Sequence, residues 1–189
     1  MDASTTDPKP GAWQSPIAAS GPLAEDGSIR LRPLAASDVD AHLNGCDRII
    51  INRLGGGEPS TATEIRSWLE DNARAWTEGR YLVDLGIEDA QTGLLAGCVG
   101  IQRGLDYLRP GQVNLTYALY PRWRGRGYAA RAVTLAMRLE AKLRPVAEFV
   151  IRAAPDNPES IAVARRAGFT DSHRTSDDHG ELLWLHRVA

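Results

Sequence analysis

The sequence has little of what marks several large classes of protein. Cys46 and Cys98 are its only cysteines, too few for a disulfide framework or a cysteine-based metal site. Its longest purely aliphatic run is Ile49–Ile51, far below the roughly 20 residues that span a bilayer. The chain does not open with a basic segment followed by an apolar one, so no secretion signal is predicted. We therefore expect a cytoplasmic protein without a metal or a membrane partner.

An excess of charge of one sign is also missing. The net charge is −2 at pH 7, because 24 acidic residues nearly balance 22 basic ones. Such a chain has no overall basic field with which to attract nucleic acid, so no nucleic-acid partner is predicted. What is present is the composition of an ordinary globular protein, with 43% hydrophobic residues in a chain of 189.

The chain divides into two parts by composition. Residues 1–27 are rich in Pro, Gly, Ser, Ala and Asp and lack helical or strand periodicity, which predicts a flexible tail. From residue 28 onward the pattern is periodic, beginning with Ile29 and Leu31 in alternation with arginines. We predict one folded domain over residues 28–189.

The first half of this domain contains two predicted helices and three further strands. A short helix begins at Ser37, and a longer one begins at Thr61, whose spacing from Glu64 is that of a capping box. The glycine-rich segment 53–59 between them is predicted to be a loop. Residues 81–88, 94–101 and 113–120 alternate between apolar and polar side chains, which predicts an antiparallel meander.

The second half alternates helices with strands. Residues 128–143 predict a helix and residues 149–151 a strand buried on both faces. Asn157, followed by proline, begins another helix that Gly168 ends, and two strands complete the chain. The order β-α-α-β-β-β-α-β-α-β-β predicts an α+β fold with a mixed, mostly antiparallel sheet of about seven strands and about four helices.

A glycine-rich loop between a strand and a helix is the strongest local signal. It consists of Arg124, Gly125, Arg126, Gly127, Tyr128 and Ala129. Glycines let the backbone approach a ligand closely, and the free N–H groups of a helix start bind phosphate. The two guanidinium groups add forked donors. These features predict a pyrophosphate-binding loop; the alternative is a surface turn with solvated arginines.

Two other phosphate-binding loops fit less well. The segment is not a Walker A loop, because no Gly-Lys-Ser/Thr follows it. Gly125-x-Gly127-x-x-Ala130 fits a relaxed dinucleotide fingerprint. That fingerprint opens a parallel βαβ unit with an acid at the end of the next strand. Here an antiparallel meander precedes the loop, and Glu148 lies before the next strand.

Residues 124–129 resemble the Arg/Gln-x-x-Gly-x-Gly/Ala motif of the GNAT acyltransferases. Asn157–Ser160 and Ala164–Phe169 are similar to the second conserved block of that family, and the element order agrees. The resemblance covers roughly residues 29–188 and is nearest to the branch of ribosomal-protein N-terminal alanine acetyltransferases. It implies a GNAT-like fold and transfer of an acetyl or other short acyl group to a primary amine.

The resemblance also implies how acetyl-CoA or another acyl-CoA, the co-substrate, is held. The loop from Arg124 to Ala129 would bind the pyrophosphate through backbone N–H groups. The strand edge at Leu119 and Tyr120 would pair with the pantetheine arm, and an N–H there would face the thioester oxygen. Asn157 would bond the pantetheine, although a helix N-cap explains this residue equally well. Ser160 would lie near the sulfur as a candidate proton donor.

The sequence departs from the family at the position of the catalytic base. Members of this branch often carry Glu on the fourth strand, where this chain has Asn114, and an amide cannot act as a base at pH 7. Asn114 could still orient the amine or a water, so it joins Ser160 and Tyr117 as a predicted catalytic residue. Asp84 and Glu70 are candidate replacement bases, although both also fit solvated charges.

Two functions follow from these observations. The first is acyl transfer from acyl-CoA to a small-molecule or peptide amine by a monomer or homodimer. The alternative is a non-catalytic acyl-CoA-binding sensor or partner module on the same fold, which the missing strand carboxylate favours. Four acids are available near the predicted acceptor side: Glu58, Glu70, Asp71 and Asp106. They could attract a cationic amine; the alternative is that they are solvated surface acids.

Overall fold

The computed structural model describes residues 22–177 and 180–189. They form an 8-stranded sheet in the order β1-β2-β3-β4-β5-β6-β8-β7. The strands are β1 Ala24–Glu25, β2 Ile29–Pro33, β3 Leu82–Asp89, β4 Leu95–Gln102, β5 Gln112–Leu119, β6 Glu148–Ala153, β7 Thr170–Asp177 and β8 Gly180–Val188. The α-helices are α1 Val39–Gly45, α2 Arg48–Leu54, α3 Ala62–Glu78, α4 Tyr128–Leu143 and α5 Pro158–Arg166. No helix among these is long and apolar enough to cross a membrane.

The predicted tail is shorter than its predicted range. Residues 1–21 lie outside the described residues, so for them the tail stays a prediction. Within residues 22–27, Ala24 and Glu25 form β1, which pairs antiparallel with β2, and the N–H of Leu23 donates to the carbonyl of Leu31 at 2.8 Å. Leu23 and Ala24 also pack against the hydrophobic core.

The segment between β2 and α3 is more helical than predicted. Asp38 is bound by the Arg32 guanidinium at 2.8 Å and caps a 3₁₀ turn, so α1 begins at Val39 rather than at Ser37. The helix α2 was not predicted at all; it includes Arg53 and Leu54, which were assigned to the loop 53–59. The capping box of α3 is confirmed.

The antiparallel meander is confirmed, and its register decides which side chains meet. Asp84 lies opposite Gly100, and Gly100 lies opposite Thr116, so these three residues form one row across β3, β4 and β5. Gln102 and Asn114 are opposite each other in the next row. Side chains alternate along a strand, so both rows project from the same face of the sheet.

The two faces of the sheet carry different helices. On one face, the apolar side chains of β2 to β6 pack against α4 and α5 and form the core, in which Leu31, Leu85 and Ile151 are almost fully buried. On the other face lie α1 and α3, which contact each other and β4 and β3 respectively. The row Asp84–Gly100–Thr116 belongs to this second face.

The parallel pair β5 and β6 separates partway along its length. The two strands pair only at Gln112 to Asn114 on β5, opposite Glu148 to Val150 on β6. The rest of β5 therefore has no strand partner on the side of β6 among the described residues. This leaves a cleft between the two strands, which opens toward the glycine-rich loop after β5.

Candidate functional site

The unpaired edge of β5 is the first part of the site. The N–H of Tyr120 donates to the carbonyl of Ala96 on β4 at 2.9 Å. Because the backbone groups of successive residues point to alternate sides of a strand, those of Leu119 and Tyr117 point toward the cleft. Of the two residues predicted at this edge, Leu119 is therefore the one whose N–H faces the cleft, while the N–H of Tyr120 faces β4. The side chain of Tyr120 turns to α1, where its hydroxyl lies 3.0 Å from His42 Nδ1.

The glycine-rich loop has the backbone shape predicted for an anion site. Gly125 and Gly127 have φ of 76° and 78°, which L side chains adopt only with strain, and a Cβ at either position would meet nothing within 4 Å. Gly127 is the N-cap of α4, and no side chain caps this helix. The N–H groups of its first turn are thus open to a ligand at the positive end of the helix dipole.

The loop side chains mostly brace the loop. Arg124 binds both carboxylate oxygens of Asp47 at 2.7 and 2.9 Å and donates through Nε to the Leu119 carbonyl, so its guanidinium is already occupied. The forked donors predicted at Arg124 are thus directed to Asp47 in this structure, and a contact of Arg124 with a phosphate stays a prediction. Tyr128 donates its hydroxyl to Asp89, and Ala129 is buried. Arg126 is exposed above the Trp123 ring, 5.0 Å from its centroid.

Two of the predicted catalytic residues meet beside the cleft. The Tyr117 hydroxyl donates to the Ser160 carbonyl at 2.7 Å and lies 2.9 Å from Ser160 Oγ. Burial raises the pKa of Tyr117 to about 12, so at neutral pH it is an uncharged phenol and a hydrogen-bond donor. Asn157 Oδ1 accepts the Ser160 N–H at 3.2 Å, which makes Asn157 the N-cap of α5.

Asn114 lies apart from this pair. Its side chain projects from the opposite face of the sheet, where Nδ2 donates to Gln102 Oε1 at 2.7 Å. The residue is 3% exposed, and its Oδ1 has no hydrogen-bond partner within the described residues. The three predicted catalytic residues therefore occupy two places, one on each face of the sheet.

A cavity of about 590 Å³ opens on the face that carries α3. Trp68 and Asn72 of α3, Tyr81 before β3, and Gln102 at the end of β4 form part of its wall. Asp84 also lines this cavity, and burial raises its pKa to about 6. The interpretation of Asp84 as a solvated charge is therefore wrong. The alternating pattern of β3 predicts that Asp84 lies on the polar face of the strand, but it does not show that α3 covers this face.

The other candidate acids differ from Asp84 in their surroundings. Glu58, Glu70 and Asp106 are exposed and do not line the cavity, while Asp71 lies at its wall and pairs with Arg74. Within residues 22–177 and 180–189, no three His, Cys, Asp or Glu residues are grouped so as to hold a metal ion. Asp84 is thus the less exposed of the two acids that line the cavity, and it is half-buried.

Comparison with known proteins agrees with this arrangement. The family model for the acetyltransferase (GNAT) domain matches residues 28–170. No curated protein matches the chain. A cleft between parallel strands that ends at an uncapped helix start has the shape expected for an extended ligand that carries phosphate. The chain belongs to the GNAT acetyltransferase family.

Solved structures share the fold at low identity. A GNAT-family acetyltransferase from Bacillus anthracis is 16% identical, covers 87% of this chain and 96% of its own, and has a TM-score of 0.73. The RimL ribosomal L7/L12 alpha-N-protein acetyltransferase in complex with coenzyme A is 19% identical, with 89% and 98% covered and a TM-score of 0.73. Spermidine N-acetyltransferase from Vibrio cholerae, in complex with CoA and spermine, is 16% identical, with 86% and 96% covered and a TM-score of 0.70. The predicted GNAT-like α+β fold is confirmed.

Proposed function

We propose that this protein transfers an acetyl or other short acyl group from acyl-CoA to a primary amine by direct attack on the thioester. The observation that carries the proposal is the cleft between β5 and β6, which ends at an uncapped helix start. An extended chain can add to the free edge of β5 as a further strand, while its phosphates reach the N–H groups of the loop. Acyl-CoA has both of these parts.

The residues of the loop and of α5 fit such a co-substrate. We assign pyrophosphate binding to the backbone N–H groups from Gly125 to Ala129, with added positive charge from Arg126. Arg124 holds the loop in place through Asp47 and does not need to contact the ligand. The N–H of Leu119 and the backbone groups of Tyr117 would bind the pantetheine arm, since the Leu119 carbonyl already accepts from Arg124. Asn157 Nδ2, which is without a hydrogen bond among the described residues, would add a donor.

The chemistry that acyl-CoA supplies is an acyl group activated as a thioester. On the side of the protein, an edge N–H of β5 would stabilise negative charge on the acyl oxygen. The Ser160 and Tyr117 hydroxyls would then donate a proton to the departing sulfur, because the raised pKa of Tyr117 keeps its phenol protonated. The pair lies beside the cleft, as this role requires.

The acceptor is proposed to be a small-molecule or peptide amine. Structural relatives are described as acting on a ribosomal protein's alpha-amino group and on spermidine, and both acceptors are primary amines. The cavity next to β3 has room for an alkylamine or a peptide end and contains one buried acid. The cytoplasmic location, the monomeric or homodimeric state and the absence of a nucleic-acid partner stay predictions.

A non-catalytic acyl-CoA-binding module remains the second candidate. Asn114, which stands where related enzymes carry a carboxylate, is the observation that favours it. A binding module has no need for a buried acid in an open cavity or for a hydroxyl pair beside the cleft. Asp84, Tyr117 and Ser160 therefore favour the enzyme.

One experiment tests the site and the activity together. Gly127→Val would strain the loop and place a side chain where the ligand's phosphates approach, so calorimetry should find acetyl-CoA affinity reduced at least about tenfold. Gly27→Val is the matched control, because Gly27 also has a positive φ and no neighbour within 4 Å but lies at the β1–β2 turn. Equal acetyl-CoA affinity in both variants would remove the loop from the site.

The activity is measured by CoA release from acetyl-CoA with a panel of amines. The panel includes spermidine, simple alkylamines and short peptides with a free N-terminal serine or alanine. Turnover of at least one amine by the wild type, and its loss in Gly127→Val, is the expected result. Tight acetyl-CoA binding without turnover of any amine would instead support the binding module.

A further inference from the structure

Asp84 is half-buried, and it differs from the buried acids of the described residues in having neither a cationic partner nor hydroxyl donors bound to its carboxylate. Asp38 is bound by the Arg32 guanidinium, and Glu140, which is 0% exposed, pairs with Arg103. Asp89 accepts hydrogen bonds from Thr92 and from the Tyr128 hydroxyl. Around Asp84, within the described part of the chain, the one group that lowers the pKa of the carboxyl is the uncharged indole of Trp68. A buried carboxylate without a cation is unfavourable unless a ligand supplies one.

The backbone of Asp84 is held firmly in this position. Pairing of β2 with β3 extends only from Leu85 to Asp89, so the backbone of Asp84 has no strand partner on that side. Asn72 of α3 takes the place of the missing strand: its Oδ1 accepts the Asp84 N–H at 2.7 Å, and its Nδ2 donates to the Asp84 carbonyl at 2.9 Å. The Trp76 indole donates to the same carbonyl at 3.1 Å. A buried amide and an indole thus fix an acid in an open cavity.

The side chain of Asp84 leans across the sheet toward β5. A Cβ built at Gly100 would lie 2.6 Å from Asp84 Oδ1 and 2.4 Å from Thr116 Oγ1, so both oxygens lie above this glycine. Thr116 is the neighbour of Tyr117, whose backbone faces the cleft. The absence of a side chain at position 100 therefore leaves a polar route from Asp84 in the cavity to the edge of β5.

We propose that Asp84, with Thr116 beside it, binds the ammonium group of the acceptor and takes its proton, so that the acceptor is a primary amine that enters the cavity along α3 as a cation. This inference rests on the proposed function and names its proton acceptor and its substrate class. Trp68 and Tyr81, at the cavity wall, offer aromatic faces that attract ammonium groups. The amide of Asn114 cannot take the proton, whereas the carboxylate in the next row can.

The protons balance in this scheme. The ammonium loses one proton to the Asp84 carboxylate, directly or through the Thr116 hydroxyl, and becomes a neutral amine. The amine nitrogen then forms a bond with the acyl carbon while the carbon–sulfur bond breaks and sulfur keeps the electron pair. The nitrogen loses a second proton as the amide forms, and the sulfur gains one from the Ser160 and Tyr117 hydroxyls, which that second proton replenishes. One proton per turnover leaves Asp84 for solvent.

The groups around Asp84 permit this proton transfer near neutral pH. Burial raises the pKa of the Cys98 thiol on β4, so that this neighbour stays uncharged. Arg103 and Arg80 line the cavity but are paired with Glu140 and Glu78. Tyr81 and Asp71 also lie at the wall, and His42 of α1 lies behind Trp68, where burial lowers its pKa. None of these gives Asp84 a cation at neutral pH.

The first test follows the carboxyl group itself and needs no turnover. The Asp84 carboxyl carbon is titrated by NMR with and without n-butylammonium, and with n-butanol as the uncharged probe. The pKa of Asp84 should lie near 6 in the free protein and fall when n-butylammonium binds, because an opposite charge favours the ionised form. A pKa that does not respond to the ammonium, or responds equally to both probes, overturns the proposal.

The second test uses the pH dependence of kcat/KM with the best amine of the panel. The kcat/KM of the wild type should rise as pH increases through about 6. In Asp84→Asn this rise should be absent, and kcat/KM should be lower by about 10²–10⁴-fold. Thr116→Val should lower kcat/KM more than Thr116→Ser does, because serine keeps the hydroxyl. Glu181→Gln is the control, since it removes one exposed charge from β8 that does not line the cavity, and it should change neither the pH dependence nor the rate.

Acetyl-CoA affinity separates this inference from the proposed function. Asp84→Asn should bind acetyl-CoA as the wild type does, because the cavity lies on the other face of β5 from α5. Retention of full activity and of the wild-type pH profile in Asp84→Asn would refute the role of Asp84 and leave the acyltransferase intact. If the wild type acylated no amine, the proposed function would fail, and the NMR titration would still decide whether Asp84 binds a cation.

Discussion

Asp84→Asn is expected to make the protein more stable while it inactivates the site. Burial raises the pKa of Asp84 from 3.8 to about 6, so the folded state holds the proton more tightly than the unfolded chain does. The stability due to this proton is fully present below pH 3.8 and is lost as pH rises through about 6. The shift corresponds to roughly 3 kcal/mol, an upper bound because the residue is partly exposed to the cavity. Asparagine carries no charge and avoids this penalty.

The measurement is urea unfolding at about pH 4 and about pH 8, with the free energy of unfolding obtained by linear extrapolation. Asp84→Asn should exceed the wild type by roughly 1–3 kcal/mol at the higher pH, and the difference should shrink toward the lower one. Glu70→Gln should match the wild type at both values, because Glu70 is exposed. A stability difference for Asp84→Asn that does not change with pH would show that the carboxyl is not held in an unfavourable charged state, and the argument from burial would be refuted.

Two further predictions concern the pairs that support the site. Glu140→Gln leaves the Arg103 guanidinium buried without its carboxylate and should lower the free energy of unfolding by about 3–5 kcal/mol in the same assay; a loss as small as that of breaking the exposed pair Arg174–Glu181 would contradict this. Tyr117→Phe keeps the ring but removes the hydroxyl that meets Ser160, so kcat should fall roughly tenfold or more while the KM for acetyl-CoA changes little. An unchanged kcat would take the hydroxyl pair out of the reaction.

The elements that the sequence predicts well are those specified by local signals. The helix over residues 128–143 is observed within the same bounds, because a continuous apolar stripe follows a glycine-containing start. The α3 capping box and the α5 N-cap are also as predicted, since each depends on residues only three positions apart. The meander strands agree to within a residue or so, because their alternation extends over eight residues each.

Local sequence signals do not predict the shortest elements or the contacts between side chains that are distant in the chain. The strand β1 has two residues and α2 has seven, too few for either period to be visible. Arg124 is read from the sequence as a phosphate ligand, but its partner Asp47 is 77 positions away in the chain. Whether Leu119 or Tyr120 offers its N–H to the cleft is decided by the register of β4 against β5, which no local pattern encodes.

By itself the sequence determines the order of the longer elements, the glycine loop at a helix start and the family to which these belong. Periodicity, caps and motifs are properties of neighbouring residues, so they can be recognised before the chain is folded. The tertiary structure alone decides which acid lies in the cavity, because the exposed Glu70 and the half-buried Asp84 are equally acidic side chains in the sequence. Asp84 differs only because sheet register sets it beside Gly100 and Thr116 and because α3 covers it, and burial is what changes the proton affinity of a carboxyl group.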